Sequence, residues 1–304
     1  PAHNLDAIVC FGQNTVSTPL ISLCAENNIT LTFISNTGKF IGRFCGPVSG
    51  NVLLRKRQYQ SIEQQEFAAG IVQNILYGKL RNSKAVLQRS ARNLPDSEIR
   101  AALTAAAKQI TELARQLKGS PSIDSMRGIE GAAASVYFAQ FDHMLRTEAF
   151  TFTVRSRRPP RNEVNAVLSF VYMLLTREVQ SALETVGLDP AAGYLHTLRP
   201  GRPSLALDLM EELRAPLCDR FVLALFHKGQ LTQKHFNTDA EAVYLNDQGK
   251  RTILAAWQKR KAEVIQHPFL DERVQIGIIP YTQAMLLARV LRGDLDMYPP
   301  FVWR

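Results

Sequence analysis

Cysteine is scarce in this 304-residue chain, and it is badly placed for bridging. Cys10, Cys24, Cys45 and Cys218 are the only four, with no CxxC pair among them. That excludes a disulfide-framed secreted domain and a zinc knuckle, and suits reduced thiols in a cytoplasmic protein. No apolar run reaches membrane-spanning length, and no stretch has the pattern of a secretory signal, so no membrane partner is expected. No internal repeat or low-complexity segment is present, which excludes a solenoid. Acids are in deficit: 27 Asp and Glu against 36 Lys and Arg, a net charge of +9. A basic chain of this size favours an anionic partner, nucleic acid first. At 46% hydrophobic and 21% charged it is globular.

The hydrophobic period divides the chain. Residues 5–11 form a short apolar run, and residues 29–35 alternate and are rich in β-branched side chains, so both read as strands. Residues 39–45 follow a turn at Asn36–Gly38 as a hairpin partner. Ser17 or Thr18 with Pro19 opens a helix between them. From Asn51 the period is helical. The expected fold is therefore α+β: a β-rich unit over 1–50 and a larger all-helical unit over 51–304. The chain opens at Pro1 without methionine. The small unit is too short of strands to bury both sheet faces, so further strands are expected ahead of it. In the larger unit, a long basic helix with a break near Gly78 is expected first. An alanine-rich helix follows over 97–118, then an apolar helix over 163–185 entered at Arg161 or Asn162, and a last helix opened by Pro280 and closed by Gly293.

The densest chemistry lies in residues 193–219. His196 precedes a Pro-Gly-Arg-Pro turn and a helix that Ser204 would cap and Pro216 would stop. Asp208, Glu211 and Glu212 share one face of that helix, beside a buried stripe of Leu205, Leu209 and Leu213. Adjacent carboxylates repel and call for a positive group among them. A histidine with carboxylates suits Mn²⁺ or Mg²⁺, with Zn²⁺ as a further option. The structural alternative is acids that face water. Glu130 stands among Gly128, Gly131 and Ala132–Ala134, small residues that would let another element approach it. Arg155, Arg157, Arg158 and Arg161 cluster around Pro159–Pro160 in a loop, where arginines suit phosphate contacts. Lys79, Arg81, Lys84, Arg89 and Arg92 make the first long helix basic, which is equally the mark of a solvated face.

Five blocks carry a resemblance along nearly the whole chain: GNVLLRKRQY at 50–59, RGIEGAAASVYF at 127–138, RSRRPPRNEVNAVLSFVY at 155–172, GYLHTLRPGRPSLALDLMEELR at 193–214 and IIPYTQAMLLARVLRGDLDMYPPFVWR at 278–304. In this order they resemble the CRISPR-associated integrase-endonuclease that captures new spacers, and their wording is closest to its type I-C branch. The resemblance implies an N-terminal β-domain that pairs protomers into a homodimer, followed by an α-helical catalytic domain. It implies a divalent metal, Mg²⁺ or Mn²⁺, held by Glu130, His196 and Glu211, with Asp208 one turn earlier as a further metal-site residue and Glu212 left on the helix surface. It implies double-stranded DNA substrates, the prespacer and the CRISPR repeat, and a companion small adaptation protein. Arg199 and Arg202 join the loop arginines as expected phosphate contacts. The implied chemistry is attack of a DNA 3′-hydroxyl on a phosphodiester, or of water where the strand is cut. Two other readings stand beside it: a non-catalytic helical scaffold for nucleic acid, and a zinc hydrolase of small substrates. The basic charge and the lack of a second histidine near His196 weigh against the latter.

Overall fold

The computed structural model describes residues 5, 7–27, 29–34, 40–44, 46, 52–92, 94–120 and 122–303. The chain divides into two compact units, Pro1–Asn51 and Val52–Arg304.

In the first unit, strand β1 (Ala7–Phe11), helix α1 (Thr18–Glu26) and strand β2 (Thr30–Ile34) form a β–α–β crossover. β1 and β2 are parallel, with Ala7 opposite Thr30 and Phe11 opposite Ile34. β3 (Phe40–Phe44) then pairs antiparallel to β2. The turn expected at Asn36–Gly38 lies outside the described residues. Ser17 caps α1 by accepting from the Leu20 amide, and Pro19 sits in the first turn, where a missing N–H costs nothing. Cys24, Ile29 and Leu31 are fully buried, and Val16, Leu20, Ile21 and Phe33 pack around them.

The second unit is mainly helical. Its helices are α2 (Val52–Glu63), α3 (Gln65–Arg92), α4 (Ser97–Gln116), α5 (Ile123–Ala139), α6 (Phe141–Leu145), α7 (Glu163–Thr185), α8 (Ser204–Leu213), α9 (Arg220–His227), α10 (Asp247–Lys261) and α11 (Ile279–Arg292). Two antiparallel hairpins amend the all-helical expectation: β4 (Phe236–Asp239) with β5 (Ala242–Leu245), and β6 (Val264–Gln266) with β7 (Arg273–Gln275). Strands of three or four residues leave too short an alternation to read in sequence. Among the described residues no helix is long and apolar enough to cross a membrane.

Local chemistry sets several boundaries. Asn162 accepts from the Asn165 amide and caps α7. Gly293 closes α11 in the left-handed conformation at φ 84°. Asn246 caps α10 through the Gly249 amide.

α8 is the centre of this unit. It packs against α3 and α7, and nine of its ten residues are buried. Two sequence expectations fail here. Ser204 is not a cap, since its hydroxyl donates to the Thr197 carbonyl. Pro216 does not stop the helix: residues Arg214–Asp219 widen into a π-type turn that runs on into α9. A widened turn tolerates the absent N–H and the ring that a regular helix interior rejects.

Gly78 likewise does not break α3, which runs unbroken through it. A Cβ at Gly78 would lie 2.9 Å from Pro300 Cβ and 3.0 Å from Glu212 Oε2. The glycine therefore lets α3 approach α8 and the C-terminal tail. Its neighbour on the next turn, Asn82, clamps the same tail. Its amide nitrogen donates to the Glu212 and Phe301 carbonyls, and its oxygen accepts from the Trp303 amide.

Alanine is the better helix former by about 1 kcal/mol, yet the overpacking at this site costs about 1–3 kcal/mol. Gly78→Ala is expected to lower stability, read as a reduced urea midpoint with an unchanged slope.

Candidate active site

Four separate elements bring the site together. Lys79 comes from α3, Glu130 from α5, Glu211 from α8, and His196 from the loop ahead of α8. Lys79 Nζ donates to Glu130 Oε1 at 2.5 Å and lies 2.7 Å from Glu211 Oε2. One ammonium thus serves two carboxylates. The second contact is an ion pair out of line for a hydrogen bond, so Glu211 Oε2 is buried without an aligned donor. On its other side Glu211 Oε1 is 3.0 Å from Arg214 Nη1. Burial pushes the Glu211 carboxyl up, but Arg214 and Lys79 outweigh it and hold the group down at about 2. Arg214 in turn lies over the Tyr172 ring, 4.9 Å from its centroid.

His196 is aimed by Asp208. The loop from Asp189 is first pinned by Gln58, which donates to the Asp189 and Ala192 carbonyls and accepts from the Asp189 amide. Arg127 holds the Leu195 carbonyl. The amides of Tyr194, Leu195 and His196 then all point at Asp208, at 2.6, 2.9 and 2.9 Å. His196 Nδ1 meets Asp208 Oδ1 at 2.6 Å. A carboxylate that accepts from Nδ1–H leaves the lone pair on Nε2, the form that ligates metal. Asp208, expected among the metal ligands, has both oxygens occupied and is fully buried; it orients the imidazole instead. Gly193 makes this possible. A Cβ there would lie 2.6 Å from Asp208 Oδ2 and 2.7 Å from the Ser204 backbone.

Glu212 is not on the helix surface. It is fully buried, and its carboxyl meets Gln283, the Tyr298 hydroxyl and the Phe301 amide. Burial pushes it up to about 8 despite those three donors. The residue tethers the C-terminal tail and takes no part in the site. The small residues around Glu130 also act differently from expectation. Nothing lies within 4 Å of a Cβ built on Gly128 or Gly131, so they leave open space beside Glu130 rather than close packing.

The arginines divide. Arg157, Arg158 and Arg199 are exposed. Arg161 is exposed and 3.7 Å from Glu241, and Arg202 is half-buried. Arg155 turns inward. It donates to Asn165 Oδ1 and Ser169 Oγ and lies over Tyr172, and burial pushes it down to about 10. It holds the loop to α7, which corrects its expected place among the phosphate contacts.

Sequence reasoning missed the role of Lys79, seen only as part of a basic run, and missed Arg214 and Asp219 altogether. Asp219 accepts from the Tyr137 and Tyr172 hydroxyls beneath the site. Lys79 and Asp219 carry no local mark, because their partners are dozens of positions away; Arg214 stands three residues after Glu211, a helical i, i+3 spacing that could have flagged it.

Among the described residues no three His, Cys, Asp or Glu side chains stand close enough to hold a metal. The cation shared by Glu130 and Glu211 is Lys79. The donor chemistry nonetheless fits a hard divalent ion: two carboxylates, one buried oxygen without an aligned donor, and an imidazole held by its Nδ1.

The family model for CRISPR associated protein Cas1 matches residues 1–259. The chain belongs to the Cas1 family. It is 47% identical to a CRISPR-associated endonuclease Cas1 of Moorella thermoacetica and 45% identical to one of Chlorobaculum tepidum, spanning 100% of this chain and 90% of each relative. A Cas1 protein from Thermotoga maritima superposes with a TM-score of 0.83 at 25% identity, covering 96% of this chain and 88% of that one. A casposase bound to an integration product shares the fold, with a TM-score of 0.84 at 23% identity over 98% of this chain and 82% of that one. The small β-rich region followed by a larger helical one is thus the Cas1 architecture.

Two outcomes follow. Gly193→Ala, which drives a methyl into backbone and the Asp208 carboxylate, is expected to cost about 2 kcal/mol or more in urea denaturation. Asp219 supplies a pH dependence. Burial raises its carboxyl from 3.8 to about 6, against the two tyrosine donors. The folded state therefore holds the proton more tightly than the unfolded chain. That stabilisation is complete below pH ~4 and is lost as pH rises through ~6, about 3 kcal/mol in all. In Asp219→Asn the difference between urea midpoints at pH 4 and pH 7 should shrink accordingly.

Proposed function

We propose that this chain is a DNA endonuclease and integrase that inserts new spacers into a CRISPR array, acting through Mg²⁺ or Mn²⁺ held by Glu130, Glu211 and His196. The observation that carries this reading is the convergence of Glu130 and Glu211 on one shared cation position, with His196 close enough to lower the Glu211 carboxyl further. Family membership supports the nuclease activity. The basic charge, +9 over the chain, supports a DNA substrate.

When bound, the ion would neutralise charge on the phosphoryl oxygens and acidify the attacking hydroxyl or water. The protein's own groups do the rest. Asp208 keeps the Nδ1 proton in place and so fixes which imidazole nitrogen faces the site. Arg214 and Lys79 keep Glu211 ionised throughout the working pH range. Lys79 also places a positive charge at the reacting point, available to a phosphoryl oxygen as negative charge develops. In strand transfer, the 3′-oxygen of a captured fragment bonds to phosphorus in the repeat DNA. The bond from that phosphorus to the target strand's own 3′-oxygen breaks, and the departing oxygen takes up a proton. With water as nucleophile the same geometry cuts the strand. Arg157, Arg158, Arg161, Arg199 and Arg202 are assigned to phosphate contacts. A homodimer, a companion small adaptation protein and a cytoplasmic setting belong to the same proposal.

The test is a strand-transfer assay with supercoiled repeat plasmid, fragment DNA, Mn²⁺ or Mg²⁺ and the companion protein. Wild type is expected to give joined product. Glu130→Ala and His196→Ala should lower it by at least about 100-fold while retaining DNA binding in a mobility shift. Unchanged joining in either variant would overturn the metal assignment, and no joined product from wild type would favour the non-catalytic scaffold.

A further inference from the structure

The basic run on α3 is only partly absorbed by the active site. Lys79 faces Glu130 and Glu211, but Tyr77, Leu80, Arg81 and Lys84 stand at i, i+3, i+4 and i+7 on the opposite face of the helix. There they form one wall of a cleft of about 440 Å³. The other wall is α4 and the turn after it, with Thr111, Arg115 and Lys118. Leu80 and Ile110 are buried and form an apolar floor. Among the described residues no acid lines the cleft. At its rim Arg115 is paired with Glu112, so the net positive charge rests on Arg81, Lys84 and Lys118. Tyr77 is 39% exposed, and Arg81 lies over its ring, 6.0 Å from the centroid.

A plain solvated helix face explains scattered lysines but not this combination. Cations from two helices converge on a walled space, with an accessible aromatic ring beside them and an apolar floor below. The volume is that of a small-ligand pocket. A ring with an adjacent guanidinium stacks a base, and lysine and arginine ammonium and guanidinium groups take up phosphate.

We infer that the cleft between α3 and α4 binds a nucleoside phosphate, its base stacked on Tyr77 and its phosphate held by Arg81, Lys84 and Lys118. The ligand is either one unit of a single-stranded DNA end or a free nucleotide, which share this chemistry. The site goes beyond the catalytic reading and does not depend on it, because it needs neither Glu130, Glu211, His196 nor a metal.

The experiment measures binding to the full chain in EDTA, by calorimetry and by fluorescence anisotropy. The probes are a 5′-phosphorylated dT tetranucleotide, dTMP and pyrophosphate. The variants are Arg81→Glu with Lys84→Glu, Tyr77→Ala, and a control of equal charge change on α10, Arg251→Glu with Lys259→Glu, both exposed. All are first checked for an unchanged circular-dichroism melt; a variant that fails this check is replaced by the milder Arg81→Gln with Lys84→Gln. Wild type should bind the tetranucleotide. The cleft double variant should weaken it by about tenfold or more, Tyr77→Ala by at least about fivefold, and the α10 control by much less. Binding of dTMP equal to that of the tetranucleotide would assign a free nucleotide as ligand; binding of the tetranucleotide alone would assign a strand end. Three results would overturn the inference: no binding of either nucleotide probe, equal losses in cleft and control variants, or pyrophosphate binding as tightly as the nucleotides with no effect of Tyr77→Ala. Failure here with strand transfer intact would leave the catalytic reading standing.

Discussion

Three carboxylates on a helix withdrawn from water impose the constraint around which the larger unit is built. An ionised acid in such a place is costly unless it is paired or hydrogen-bonded, and α8 carries Asp208, Glu211 and Glu212, each at most 1% exposed. The solutions differ. Asp208 collects three successive backbone amides and the imidazole of His196. Glu211 is held between two cations, Lys79 and Arg214. Glu212 has three donors and no cation, and its carboxyl is pushed up to about 8. One helix therefore holds an orienting acid, a strongly ionised acid and a tethering acid, and their neighbours alone distinguish them.

Each solution also recruits a different part of the chain. Satisfying Asp208 folds the 189–196 loop back over α8, which is what delivers His196. Satisfying Glu211 draws on α3, whose Lys79 also serves Glu130 of α5. Satisfying Glu212 brings in α11 and the aromatic tail, through Gln283, Tyr298 and Phe301. Two glycines permit these approaches: Gly193 beside Asp208 and Gly78 beside Glu212. The contacts that satisfy Asp208 and Glu211 are therefore also those that bring His196, Lys79 and Glu130 to α8, while those of Glu212 hold the tail.

The fit to a divalent ion follows from the same electrostatics. Glu130 and Glu211 meet across a single ammonium, which marks a position where positive charge is favoured. The open space beside Gly128 and Gly131 leaves Glu130 approachable from solvent. Arg155 shows the opposite case. Its setting in an arginine loop beside Pro159 and Pro160 looks like a phosphate contact, but its two terminal nitrogens are taken up by Asn165 and Ser169 and its guanidinium lies over Tyr172.

Period and capping chemistry were legible in the sequence, because they depend on residues a few positions apart. Helical spacing from Asn51 onward, Ser17 and Asn162 as caps, Gly293 as a terminator, and the shared face of Asp208 and Glu211 all follow from local geometry. The family was legible as well, from five ordered blocks. Tertiary structure alone decided which acids are buried, since burial depends on what packs against a face and not on the face itself. That is why Glu212 moved from surface to core, why Gly78 became a point of approach rather than a break, and why Pro216 sits within a widened turn. It also decided the partner of Lys79. An ion pair between residues 79, 130 and 211 has no signature at any short spacing, and it forms only when three helices have been brought together.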